Sequence, residues 1–138
     1  MGLFMKKITE EELKTVKRLL KEVGRCSDIA NHTADADEFF GNYHGMEGKL
    51  RDLAEYEKFG VFKGGTPSKD LARIENNFQN DLNLFIQRSW ICLKEEIKDM
   101  DEERAARRRG EYFRSMAKYE GEMSPYNKNL IKDMRENE

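Results

Sequence analysis

The stretch TPSKDLARIENNFQNDLNLFIQRSWICLKEEIKDM, residues 66–100, decides the fold. Leu71, Ile74, Phe78, Leu82, Ile86, Trp90, Leu93, Ile97 and Met100 recur about every 3.6 residues. That is the period of a straight α-helix with one continuous apolar face. Thr66 can serve as N-cap, and Pro67 stands at the first helical position, where a missing N–H costs nothing. Phe85, Trp90 and Ile91 widen the apolar arc beyond one stripe. This predicts burial on two sides and marks the three as an interaction face.

Downstream, no proline interrupts the chain between Pro67 and Pro125. One helix of over 50 residues there would reach roughly 80 Å at 1.5 Å per residue. A compact domain of this length has a radius of gyration near ~14 Å. Either the helix breaks around Asp99–Asp101 or the molecule is an elongated oligomer. Beyond that point Ala105, Tyr112, Met116, Tyr119 and Met123 form a further stripe with Gly110 inside it. Ser124-Pro125 repeats the N-cap and proline device and opens a short last helix carrying Leu130, Ile131 and Met134.

Upstream, Gly60–Gly65 (GVFKGG) is the clearest loop, with residues 60–66 as the main connection. Before it, Phe39, Tyr43, Met46, Leu50 and Leu53 keep a spacing of about 3.5, the spacing of a packed helical seam. Gly41, Gly45 and Gly48 oppose a helix there by up to about 1 kcal/mol each. They either admit a close neighbour or delay the helix until Lys49. The unbroken stripe favours one helix from about 34 to 58. At the start, Thr9 and Glu12 form a capping box. Leu13, Val16, Leu20 and Val23 follow on one face, and Gly24 is a natural stop, although Ala30 would stay near the stripe if the helix continued. The expected fold is all-α: an antiparallel helical bundle of about four main helices plus a short C-terminal helix. Residues 1–138 read as a single domain, with 1–8 as a disordered N-terminal stretch.

Composition narrows the classes. Charged and hydrophobic residues each make up 38%, and the mean hydropathy is −0.90. No run approaches the roughly 20 apolar residues of a membrane-spanning helix. The apolar patch at Met1–Met5 is too short for a signal peptide. Twenty-five basic residues against 27 acidic ones predict no global attraction to nucleic acid or anionic lipid. Cys26 and Cys92 form no CxxC pair, which points to a reducing, cytoplasmic setting. Cys92, inside Trp90-Ile91-Cys92-Leu93, reads as a small buried thiol.

Three groups could carry chemistry. Asp28, His32, Asp35, Asp37, Glu38, His44 and Glu47 hold both histidines of the chain. The pairs His32/Asp35 and His44/Glu47 have the i,i+3 spacing of ligands for zinc or iron in a bundle. Asp35-Ala-Asp37 begins like a calcium loop, but Phe39 and Phe40 occupy its next ligand and glycine positions. His44 with Gly48 follows part of the pattern of a phosphate-accepting histidine, but Glu47 would repel a phosphoryl group. The third group is basic: Arg104, Arg107, Arg108, Arg109, Arg114 and Lys118 against Glu111 alone, a local net charge of +5. Such a stripe can track a phosphate backbone. It can equally pair with acids, since residues 33–58 carry a net −4. No nucleophile motif, P-loop or dinucleotide fingerprint is present.

The leading expectation is therefore a small accessory or regulatory protein without a catalytic site or cofactor. It would act by helix-mediated contact with a protein partner or with itself as a homodimer. A nucleic-acid-associated role through residues 104–118 comes second, and a metal-binding bundle third.

Overall fold

The computed structural model describes residues 7–137. Its α-helices are α1 (Glu10–His32), α2 (Ala36–Ala54), α3 (Pro67–Ile97), α4 (Glu102–Ala117) and α5 (Pro125–Glu136). Short 3₁₀ turns lie at Glu57–Phe59 and Glu120–Glu122, and no strand occurs among the described residues. The fold is an all-α helical bundle, four main helices followed by a shorter one. Most of the stretch expected as a disordered N-terminus, residues 1–6, lies outside the described residues.

Contacts divide the chain into two compact units. The first contains α1, α2 from Phe40 onward and α3 as far as Asn77. The second contains Thr33–Phe39 and the chain from Phe78 onward.

In the first unit the capping box forms as read. The Thr9 backbone N–H donates to Glu12 Oε1 at 3.0 Å, and the Glu12 N–H donates to Thr9 Oγ1 at 3.1 Å. Helix α1 runs through Gly24 to His32 instead of stopping there. Its extra turns bury Cys26 and Ala30, so tertiary packing outweighs the glycine. Helix α2 starts at Ala36, so its glycines do not delay it to Lys49. Nor does any of the three admit an unusually close neighbour: a Cβ at Gly45 would stand 3.6 Å from Cys26 Sγ on α1, an ordinary contact distance, and Gly41 and Gly48 face open space. Tyr43 Oη donates to the Ile74 carbonyl at 2.5 Å and ties α2 to α3. The helix ends at Ala54, and the chain turns through Gly60, held at φ 66°, where glycine is favoured. The start of α3 is capped twice. Thr66 Oγ1 accepts from the Lys69 N–H at 3.3 Å, and Glu57 Oε1 accepts from the Ser68 N–H at 2.7 Å.

In the second unit, α3 buries Leu82, Phe85, Ile86, Ser89 and Leu93, and α4 buries Ala105, Tyr112, Phe113 and Met116. Phe39 stacks on Phe85 with ring centres 4.6 Å apart. Trp90 packs on Tyr112 and Phe113 at 5.7 and 5.6 Å. The long helix does break at the expected place. It ends at Ile97, and Asp101 Oδ1 accepts from the Arg104 N–H at 2.9 Å to cap α4. That cap opens a new helix, so the chain breaks between Ile97 and Glu102 without a proline. At the other end of α4, Ser124 Oγ accepts from the Asn127 N–H at 3.2 Å and Pro125 opens α5.

Candidate functional site

The metal candidates are not gathered. Among the described residues no group of three or more His, Cys, Asp or Glu side chains could hold an ion. His32 Nδ1 lies 2.7 Å from the Asp28 carbonyl of its own helix. His44 Nδ1 pairs with Glu47 Oε1 at 2.8 Å, as the i,i+3 spacing anticipates. Asp35 sits just ahead of α2, where its carbonyl accepts from the Phe39 N–H at 2.9 Å.

The basic stripe is largely paired inside the chain. Arg107 meets Glu103 at 3.5 Å, Arg108 meets Glu96 at 3.0 Å, and Arg109 meets Glu102 at 2.8 Å. Lys118 reaches Asp37 at 3.4 Å. Arg104 and Arg114 have no carboxylate within ion-pair distance among the described residues. Four of the six cations thus follow the ion-pair reading, and the Lys118 pair draws on the acidic segment 33–58.

Of the predicted interaction face, Ile91 is 63% exposed and Trp90 is half-buried. Phe85 is fully buried, stacked on Phe39, and is therefore spent within the chain. Leu84, which the sequence did not single out, takes its place: it is 53% exposed and lies two helical turns before Ile91. Cys92 is exposed and Cys26 buried, the reverse of the expectation for Cys92. Both are free thiols.

Buried side-chain nitrogen and oxygen atoms all have hydrogen-bond partners among the described residues. Ser89 Oγ lies 2.7 Å from Tyr112 Oη, and both hydroxyls also reach the Ile86 carbonyl, at 3.1 and 3.4 Å. Burial pushes the Tyr112 phenol up to about 12, with the Ser89 hydrogen bond acting against it. Tyr119 is pushed up to about 12 mainly by donating its proton to Asp37. That same bond, helped by Lys118, holds the Asp37 carboxyl below its usual range. Burial lowers the Arg88 guanidinium, whose Nε donates to the Thr33 carbonyl at 3.0 Å. A second polar knot holds α5. Asn127, only 1% exposed, donates Nδ2 to the Gln79 carbonyl at 3.0 Å and to Gln79 Oε1 at 2.9 Å. Its Oδ1 accepts from Asn83 Nδ2 at 2.9 Å, and the Ser124 N–H donates to Gln79 Oε1 at 2.9 Å.

Between α4 and α5 runs a groove of about 450 Å³. Buried Met116, Met123 and Ile131 line its base. Lys128, Lys132 and Arg135 of α5 line one side. The spacing i, i+4, i+7 of these cations is plain in the sequence, but the sequence reading passed over it. Glu120 and Glu136 also line this groove, and a hollow of about 420 Å³ between residues 33–38 and α4 is likewise lined by charges of both signs, among them Asp35, Glu38, Arg108 and Glu111.

No protein-family model, curated protein or solved structure matches the chain.

Proposed function

We propose that this is a small accessory or regulatory protein that works by helix-on-helix contact through the outer face of α3. The observation that carries the reading is the exposure of Leu84 and Ile91, 53% and 63%, on one side of a helix whose other side is core. Covering an aliphatic side chain completely is worth about 1.5–3 kcal/mol, so a partner helix laid here gains from both. A second copy is the simplest partner, because two-fold dimers are the commonest oligomers. The two free cysteines, one of them exposed, support a reducing, cytoplasmic setting. A nucleic-acid role is the weaker reading, since Arg107, Arg108, Arg109 and Lys118 already face carboxylates.

Sedimentation at micromolar concentration tests the proposal. The wild type should run at twice the 16.3 kDa chain mass, and the Leu84→Glu/Ile91→Glu variant at the chain mass itself. Should the wild type be monomeric, affinity capture from the native host should recover a protein that the double variant loses. A mass and a captured set that both ignore the substitutions defeat the reading.

A further inference from the structure

We propose that the groove between α4 and α5 is a docking site for an acidic amphipathic helix of a partner protein. This is a different surface from the α3 face, so either proposal can fail while the other stands.

Charge complementarity carries the inference. Lys128, Lys132 and Arg135 share one face of α5, and none has a carboxylate within ion-pair distance among the described residues. On α4, by contrast, Arg107, Arg108 and Arg109 are each paired. A row of unpaired cations along a groove is a standing field for negative charge. Arg135 is also placed in advance. Its guanidinium lies 4.9 Å from the centre of the Phe113 ring, a cation–π contact, and the residue is exposed. A guanidinium can recognise a carboxylate by two parallel hydrogen bonds. Ordering a long side chain beforehand lowers the cost of binding.

The base of the groove selects the rest of the ligand. Met116 and Met123 are flexible, polarizable side chains that mould to an apolar anchor. The three cations span about 10 Å along the α5 axis, close to two helical turns. Carboxylates at i, i+3 or i+4, and i+7 on a docked helix match that span, with an apolar residue between them directed at the methionines. A nucleic-acid backbone fits less well. Glu120 and Glu136 line the same groove and oppose phosphates and carboxylates alike, so the methionine base decides between the two ligands: a phosphodiester makes no use of it.

The test is a selection of randomised peptides of about 16 residues, long enough for a helix of four turns. They are displayed against the intact chain and counter-selected against Lys128→Glu/Lys132→Glu/Arg135→Glu, whose fold is checked by circular dichroism. Recovered peptides should carry Asp or Glu at the stated spacing around an apolar residue. They should bind the wild type at least about tenfold more tightly than the triple variant, equivalent to about 1.4 kcal/mol. Binding should weaken as salt rises. Arg135→Lys, which keeps the charge but loses the fork, should give an intermediate affinity. Methyl resonances of Met116 and Met123 should move on titration. The proposal is overturned if no peptide is recovered or the recovered peptides lack the acidic spacing. Equal binding to the triple variant overturns it as well. So does a poly(dT) oligonucleotide or a phosphatidylserine vesicle that binds through the same three cations more tightly than any peptide.

Discussion

Replacing Ser89 by Ala and Tyr112 by Phe, singly and together, tests whether α3 and α4 are joined by a polar pair as well as by apolar packing. Each single change removes the 2.7 Å bond between the hydroxyls and the deleted hydroxyl's own contact with the Ile86 carbonyl, but leaves the remaining hydroxyl with that carbonyl. The cost is therefore that of one to two net hydrogen bonds, about 0.5–1.5 kcal/mol for each, and not the larger penalty of an orphaned buried group. The double variant removes both hydroxyls and orphans neither, while the Ile86 carbonyl keeps its place within the helix. It should lose less than the sum of the singles, with a coupling of about 0.5–1 kcal/mol. Urea denaturation followed by far-UV circular dichroism measures all four proteins, and constant m-values make the differences in stability comparable. Singles that cost under about 0.3 kcal/mol, or that add within that margin in the double variant, would refute a hydrogen bond between these two helices.

The two shifted tyrosines set the alkaline limit. Their phenols rise from the ordinary 10.0 to about 12 on folding, so the stability they contribute is fully present below pH 10 and is lost as pH climbs through about 12. Ultraviolet titration should show two late-ionising tyrosines, and Tyr112→Phe should remove one of them. Gly24→Ala should stabilise the protein by about 0.5–1 kcal/mol in urea, because Gly24 lies inside α1 and a Cβ there meets nothing within 4 Å. A loss of stability would contradict the continuous helix. Under native conditions a thiol reagent should modify Cys92 promptly and Cys26 only as fast as the chain opens. One uniform rate for both would contradict their different burial.

The sequence was most legible where local chemistry repeats. Thr9 with Glu12, Thr66 with Pro67, and Ser124 with Pro125 each mark a helix start that the structure has. The apolar run Trp90–Leu93 misled because neighbours in sequence are not neighbours on a helix. One residue is a rotation of about 100°, so Leu93 is buried while Ile91 and Cys92 turn outward. Phe85 falls on the same side as Leu82, Ile86 and Ser89 and goes to the core with them. Of the two ends the first stripe allowed, a stop at Gly24 or continuation past Ala30, the structure has the second, because a glycine only weakens a helix and burial of Cys26 and Ala30 outweighs that loss. The α4/α5 groove was half legible. The spacing of Lys128, Lys132 and Arg135 is written in the chain, but their lack of acidic partners depends on which residues tertiary packing brings near. The same holds for Asn127, whose partners Gln79 and Asn83 lie 48 and 44 residues away.

The knot around Asn127 has a consequence for how the protein opens. Helix α5 has 12 residues, too short to persist alone in water. Beside the buried Ile131, its attachment includes directional bonds to Gln79 and Asn83, which hold in one register and are lost on sliding. It should therefore lift and melt as one cooperative unit, with its amides exchanging hydrogen together, below the free energy of global unfolding. One wall of the groove leaves with it. Whatever occupies the groove is then a latch on the C-terminal helix, raising the free energy of that opening by RT ln(1 + [L]/Kd). Slower proteolysis near the 120–122 turn would report occupancy even for a ligand whose chemistry is unknown.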